Sequence, residues 1–360
     1  MYGISKRGKK TLIYHGFKFW QPIHPPIPIN MDFTIPFIFS NFTLYDSGPG
    51  SDRIIIFGCR EMLDGLARAK TWLADGTFKI VPSLFFQLYT IHFQFVQGIN
   101  PVGIYCLLPN KSRTTYDRLI KHILDLIPGA SPIKIITDFE IAAMSSFSQH
   151  FPSAKITVCY FHLAQSVIRK VNDVGLKSRY DSDDSFRESV RCLAALSHIP
   201  EEDVVEGFEL LADDILVTVG HLCPKVNELL SYFEHTYVRG RRLRGRGEQY
   251  GPALFNIALW NQPIAAVDGI ARTNNIVEGW HHGLQALFHC NHPTMWKFIK
   301  GLEGDCAQQG ANFLQGITGV VQPAVKKYEI LRERVSRAVD TYRQTNLLLY
   351  LKAIAHLSYK

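Results

Sequence analysis

Three acidic residues stand in sequence contexts that suit catalysis. Asp75 lies in W-L-A-D-G-T-F-K, Asp138 closes I-K-I-I-T-D-F-E, and Glu278 lies in R-T-N-N-I-V-E-G-W-H-H. Carboxylate oxygens are ligands that Mg²⁺ prefers, and two such ions can clamp the attacking and leaving oxygens of a phosphoryl displacement. The three acids together therefore suggest metal-dependent phosphodiester chemistry.

Each acid also has a simpler structural interpretation. Asp75 precedes a glycine and suits a turn. Asp138 suits the N-cap of the next helix, or Glu140 takes part in a capping box there instead. Glu278 follows Asn275 by three residues, which is also capping-box spacing. Spacing alone leaves both interpretations open, because acidic triples are common in a chain of 360 residues.

A mixed sheet flanked by helices would position these acids. Residues 71–95 predict two strands joined by a turn at A-D-G-T, and residues 101–108 predict a third strand. Strands are then predicted at 133–137 and 155–159, alternating with helices at 114–127, 139–150 and 161–171. Antiparallel strands followed by helix–strand alternation indicate an α/β fold with a mixed sheet.

Six stretches of the chain, in order, resemble the MULE domain, the catalytic domain of Mutator-like transposases. They run from about Trp72 to Phe298 and span about two-thirds of the chain. The stretches are WLADGTFKIVPSLFFQLYTIH, PVGIYCLLPNKSRTTYDRL, IITDFEIAAMSSF, VCYFHLAQSVIRK, RTNNIVEGWHHGLQ and HPTMWKFI. The resemblance implies an RNase H-like fold whose catalytic Asp-Asp-Glu set falls on Asp75, Asp138 and Glu278.

The resemblance also implies a function and a domain organisation. The expected function is DDE-type transposition: cleavage of double-stranded DNA at transposon ends and strand transfer to target DNA, with Mg²⁺ or Mn²⁺ in a two-metal site. A homo-oligomer in the nucleus is expected. The expected segments are an irregular, proline-rich tail (1–50), the first part of the core (51–171), a helical insertion with an arginine-rich loop (172–270), the core helix carrying Glu278 (271–300) and a helical C-terminal region (301–360).

Cys159 and His162 match the C-x-x-H signature of the family. They supply half of a tetrahedral zinc site, and Cys290 or His292 would have to complete it. The favoured alternatives are a place beside the catalytic carboxylates or a purely structural role. Zinc is therefore the less favoured cofactor.

A glycine-rich loop carries five arginines, which suits contacts with DNA phosphates because neutralising phosphates releases counterions. A solvated loop without a DNA role is the simpler alternative. The arginines are Arg239, Arg241, Arg242, Arg244 and Arg246.

The composition bears on possible partners and on the cellular compartment, but it does not identify the function. The net charge of +7 permits a nucleic-acid partner but does not establish one. Seven cysteines without a C-x-x-C pair argue against a disulfide framework and favour a reducing compartment. No apolar run reaches the roughly 18 residues of a membrane helix, so no membrane partner is expected.

Two other functions remain open from the sequence. Relatives often carry an N-terminal zinc-binding domain, and residues 1–70 lack Cys/His spacing for one. A transposase-derived protein that binds DNA or regulates transcription without catalysis is the main alternative. A cellular nuclease of RNase H type, which would cleave RNA–DNA hybrids without strand transfer, is the third.

Overall fold

The structure, a computed structural model, describes most of the chain. The described residues are 9–14, 17–22, 28, 30–95, 100–219, 223–243, 249–261, 275–318, 333–334, 336–339, 341–342 and 345–358. Residues 324–342, whose sequence predicts a long polar helix, lie largely outside the described residues.

Nine strands form a two-stranded hairpin and a seven-stranded sheet within the described residues. The strands are β1 (Lys9–Tyr14), β2 (Phe17–Pro22), β3 (Thr43–Asp46), β4 (Ile55–Phe57), β5 (Thr71–Thr77), β6 (Gln87–Phe93), β7 (Val102–Leu108), β8 (Lys134–Thr137) and β9 (Lys155–Val158). Strands β1 and β2 make the hairpin, and the large sheet has the order β3-β4-β7-β6-β5-β8-β9.

The large sheet is mixed, as the sequence predicted. Strands β5, β6 and β7 pair antiparallel, whereas β8 pairs parallel with β5 and β9 pairs parallel with β8. Every residue of β6 and β7 is buried, and the continuous apolar run of β7 is typical of a strand covered on both faces. The carboxyl ends of β5, β7, β8 and β9 consequently meet at one edge of the sheet.

Helices cover both faces of this sheet. They are α1 (Arg60–Arg68), α2 (Arg113–Leu126), α3 (Ile141–His150), α4 (Tyr160–Asp173), α5 (Lys177–Ser182), α6 (Asp184–Ala195), α7 (Val204–Val219), α8 (Pro224–Phe233), α9 (Ile257–Trp260), α10 (Asn275–Phe288), α11 (Met295–Ile317) and α12 (Leu347–Ser358). None of the described helices is long and apolar enough to cross a membrane.

Neighbouring residues of β5 mark the two faces of the sheet. The ring of Trp72 contacts that of Phe151, which directly follows α3, at 5.1 Å between centroids. Leu73, the next residue, packs with Ile136 of β8 and Val277 of α10. Because successive strand side chains point to opposite faces, α3 covers one face here and α10 covers the other.

Two expectations need correction. The sequence A-D-G-T does not form a hairpin turn, because Asp75 and Thr77 belong to β5 and the connection to β6 begins only at Phe78. Residues 1–50, expected to be irregular, contribute β1, β2 and the edge strand β3. Arg53 fixes β3, since its buried guanidinium pairs with Asp46 at 2.6 Å.

Candidate active site

Asp75 and Asp138 lie on adjacent strands at the same edge of the sheet. In the parallel register of β5 and β8, Leu73 lies opposite Ile136. Continuing this register by two residues brings Asp75 beside Asp138, which directly follows β8. Adjacent strands are about 4.8 Å apart, so the two carboxylates leave neighbouring backbones on the face that α10 covers.

The Asp75 side chain is held in a buried position. The residue is only 4% exposed, and its Oδ1 accepts a hydrogen bond from the backbone N–H of Gly76 at 2.8 Å. Its Oδ2 lies 3.6 Å from Nδ1 of His281 on α10. Asp75 therefore contacts α10 at the edge of the sheet where the carboxyl ends of β5 and β8 lie.

Asp138 has a buried oxygen available to a ligand. Its Oδ1 has no hydrogen-bond partner among the described residues. Burial raises the pKa of Asp138, while the backbone amides of Asp138 and Glu140 and the positive charges of Lys111 and Arg169 oppose that rise. A buried carboxylate oxygen without a donor is costly unless a cation or another donor satisfies it.

The capping roles considered for this segment do not form. Helix α3 has Glu140 as its N-cap residue, and the Glu140 side chain makes no capping hydrogen bond. The Thr137 hydroxyl donates to the Asp138 carbonyl oxygen at 2.9 Å. Burial and the nearby Asp138 raise the pKa of the Glu140 carboxyl, while Lys111 and the Tyr116 hydroxyl of α2 oppose that rise.

Helix α10 crosses the face of the sheet on which the two aspartates lie. Val277 is buried against Leu73, Ile136 and Cys159, and His281 approaches Asp75 one helical turn later. Glu278 lies in this helix between these two anchors. Its side chain lies outside the described residues, so its contact with the aspartates stays a prediction.

Three buried histidines lie at or near the contact between α10 and Asp75. Burial lowers the pKa of His281 to about 4, with a further contribution from His162, and lowers that of His162 to about 4. Burial also lowers the pKa of His92 on β6 to about 3. His92 lies 3.2 Å from both the Thr90 hydroxyl and the Asn100 carbonyl oxygen. At neutral pH these imidazoles are uncharged.

Asp305 of α11 fixes α10 to the sheet. One carboxylate oxygen, Oδ2, accepts hydrogen bonds from the Trp280 indole at 2.9 Å and from the Tyr105 hydroxyl of β7 at 2.6 Å. The Trp280 ring also contacts the His92 ring at 5.0 Å between centroids. Sequence reasoning missed Asp305 because it lies in no motif and its partner Tyr105 is 200 residues away in the chain.

Comparison with known families identifies the segment that forms this edge. Residues 71–166 match the model of the MULE transposase domain. The protein carries a MULE transposase domain. A search of curated proteins finds no match.

The matched segment of the MULE domain runs from β5 into α4. It contains both Asp75 and Asp138, as well as Cys159 and His162. Glu278, on α10, lies beyond the match. The resemblance read from the sequence is therefore confirmed for the strands that carry the two aspartates.

The C-x-x-H pair of the MULE domain lies beside the aspartates. Cys159 is buried among apolar side chains and His162 lies near His281. His292 is instead bonded to the β5–β6 connection, and Cys290 lies 3.4 Å from the Lys297 ammonium. Within the described ranges, no group of three or more His, Cys, Asp or Glu side chains is arranged to hold a metal ion; Glu278 is not part of that comparison.

The arginine-rich loop begins as a hairpin outside the MULE match. Arg239 is bound within the protein: its guanidinium pairs with Glu234 at 2.6 Å and Glu209 at 2.8 Å and stacks on Tyr250. Two further loop arginines are exposed and the remaining two lie outside the described residues; they are Arg241 and Arg242, and Arg244 and Arg246, respectively. Arg239 thus has a structural role that its sequence context did not reveal.

Proposed function

We propose that this protein is a DDE-type transposase that cleaves DNA at transposon ends and transfers the freed strand to target DNA. The proposal rests on one arrangement. Asp75 and Asp138 emerge side by side from β5 and β8, and α10, which carries Glu278, packs across the same face through Val277 and His281. The MULE match supports a reaction of the transposase class.

The same topology supports an RNase H-like core. Three antiparallel strands are followed by two parallel strands, with helices between and after them. Helices α5 to α9 separate this core from α10, and we interpret residues 172–270 as the helical insertion expected before the helix with the third acid.

The residues at this edge suit hard divalent cations. Asp138 offers a buried oxygen without a hydrogen-bond partner among the described residues, and Asp75 is a buried carboxylate two residues before the end of its strand. We assign Mg²⁺ or Mn²⁺ to Asp75 and Asp138, with Glu278 completing the set. Two such ions would activate the attacking oxygen and stabilise the leaving oxygen.

The chain's own residues would orient the DNA for two successive displacements. In the first, a water oxygen attacks the phosphorus at the transposon end, and the bond to the 3′-oxygen breaks. In the second, the freed 3′-hydroxyl attacks a phosphodiester of target DNA, and the bond to the 3′-oxygen of the target strand breaks. Lys111 and Arg169 are exposed and their charges act on Asp138, so they suit phosphates on either side of it. Double-stranded DNA as partner, a homo-oligomer and a nuclear location belong to the same proposal.

The proposal is tested by plasmid nicking and oligonucleotide strand transfer in Mg²⁺ and Mn²⁺. Asp75→Asn, Asp138→Asn and Glu278→Gln should each reduce both activities at least ~10²-fold, because each removes a ligand charge from the reacting centre. Asp125→Asn is the matched control, since Asp125 is an exposed acid on α2, and it should leave both activities unchanged.

Other outcomes separate the alternatives. Wild-type rates for Asp75→Asn would refute the catalytic assignment. DNA binding without nicking in either metal would favour the non-catalytic regulator. Cleavage of RNA–DNA hybrids without strand transfer would favour a nuclease of RNase H type.

A further inference from the structure

Two exposed phenylalanines stand at the functional edge of the sheet. Phe78 directly follows β5 and Phe86 directly precedes β6. They are 44% and 46% exposed, and their rings meet edge to face with 5.4 Å between centroids. The connection between the two rings packs through other side chains, because it buries Ile80 and Val81. The two phenylalanines are therefore not needed to anchor it.

The connection that carries the aromatic pair is fixed at several points. The backbone N–H of His292 donates to the Lys79 carbonyl oxygen at 2.9 Å, and the His292 ring nitrogen Nδ1 lies 3.0 Å from the Val81 carbonyl oxygen. His292 adopts a left-handed backbone with φ 47°, which a non-glycine residue holds only when its surroundings enforce it. Phe86 is anchored through its own N–H to the Leu108 carbonyl oxygen of β7 at 2.9 Å.

The segment after β7 brings a lysine near both the aromatic pair and Asp138. Exposed Lys111 follows Asn110, whose carbonyl oxygen accepts a hydrogen bond from Gln87, the residue after Phe86. The charge of Lys111 also acts on Asp138. Phe78 itself is three residues beyond Asp75, which places it about 10 Å along the strand direction. Aromatic rings, a positive charge and paired carboxylates therefore share one edge.

We propose that Phe78 and Phe86 form a stacking platform for an unpaired nucleobase of DNA, with the adjoining phosphate beside Lys111. This inference rests on the proposed function. Aromatic side chains stack on the face of any base, so such a platform is tolerant of sequence. The face of a base is available only when it is unstacked from the duplex. The platform therefore selects frayed or single-stranded DNA next to the scissile phosphate.

The test measures the affinity for a blunt duplex and for the same duplex with a short thymine overhang, by fluorescence anisotropy without divalent cations. The wild type should prefer the overhang. The double variant Phe78→Ala/Phe86→Ala should lose about 5- to 100-fold in overhang affinity and less than twofold for the blunt duplex. Phe78→Trp with Phe86 intact should keep the preference.

A control and a folding check accompany the variants. Ile133→Ala removes an exposed apolar side chain at the opposite end of β8 and should leave both affinities unchanged. Urea unfolding should show that the double variant remains folded, because both rings are exposed.

Four results would overturn the platform. In the first, the double variant prefers the overhang duplex over the blunt duplex as strongly as the wild type does. In the second, the wild type shows no preference between the two duplexes. Loss of self-association in the double variant, with overhang affinity retained, would assign the pair to contact with a second copy of the chain. These three leave the proposed function intact, whereas a wild type that binds no blunt duplex would overturn the function and the platform together.

Discussion

Replacing Asp305 by alanine should displace the helix that carries Glu278. Asp305 receives hydrogen bonds from Trp280 on α10 and from Tyr105 on β7, and it lies on α11. It therefore joins two helices to the sheet. Without its carboxylate, both donors lose their acceptor, and Trp280 is only two residues beyond Glu278.

The expected cost follows from the two orphaned donors. Leaving a buried donor without its partner costs about 1–3 kcal/mol, so two donors cost about 2–6 kcal/mol. Burial raises the pKa of Asp305, so removing its carboxylate also relieves an unfavourable desolvation. We expect a net loss of roughly 2–4 kcal/mol in the free energy of unfolding. A displacement of α10 by about 1 Å should lower the nicking rate on the order of 10²-fold.

The measurements are urea unfolding and metal-dependent plasmid nicking at a temperature where the variant stays folded. Glu303→Ala is the control, because Glu303 is exposed on the same helix and should change stability by less than about 0.5 kcal/mol. Asp305→Asn keeps one acceptor oxygen and should fall between the two. Trp280→Phe removes only the indole donor and should cost about 1 kcal/mol.

If Asp305→Ala matches Glu303→Ala in both stability and nicking rate, Asp305 does not hold α10 in place. A stable variant with reduced kcat and unchanged DNA affinity would show positioning most directly. A loss of DNA affinity alone would instead point to a role in binding.

Two further predictions concern titration and charge. Because burial lowers the pKa of His92 from 6.5 to about 3, the unfolded state binds a proton between these values that the folded state does not, and stability falls as the pH drops below 6.5. His92→Gln should remove about 2 kcal/mol of the loss between pH 6.5 and 4.5 in urea unfolding, and an unchanged pH profile would contradict this. Arg239→Ala should cost about 1–2 kcal/mol of stability by releasing partly buried Glu234 while changing DNA affinity less than twofold. Arg241→Ala should do the reverse, lowering the salt slope of DNA binding by about 1, and equal effects of the two variants on binding would contradict the distinction.

The order of strands and helices along the chain, and the mixed sheet that they form, were predictable because the strands carry strong local signals. β7 is apolar throughout, β6 is rich in apolar and aromatic residues, and β8 and β9 each precede a helix. The turn assigned to A-D-G-T was wrong for a physical reason. A Cβ on Gly76 would lie 2.7 Å from Gln87 Oε1 of the neighbouring strand, so the glycine leaves room for the buried Gln87 side chain rather than forming a turn.

The edge strand β3 could not be predicted from its proline-rich surroundings. Its place depends on Arg53, whose guanidinium bonds Asp46 and the carbonyl oxygens of Met31 and Phe33. A sequence shows a charged residue at position 53 but not that the charge is buried. The positions of Asp75 and Asp138 followed from strand ends, whereas the Asp305 and His281 contacts depend on helices that return from far along the chain.

Because α10 is synthesised late, the sheet face that it covers stays exposed during translation. β5, β8 and β9 emerge from the ribosome well before α10, since α5 to α9 must be made in between. Until Val277 is synthesised and packs, it cannot cover Leu73, Ile136 and Cys159. The nascent domain therefore exposes an apolar surface beside its aspartates. Chaperone binding should be greatest before α10 is synthesised, and a chain halted before α10 should aggregate.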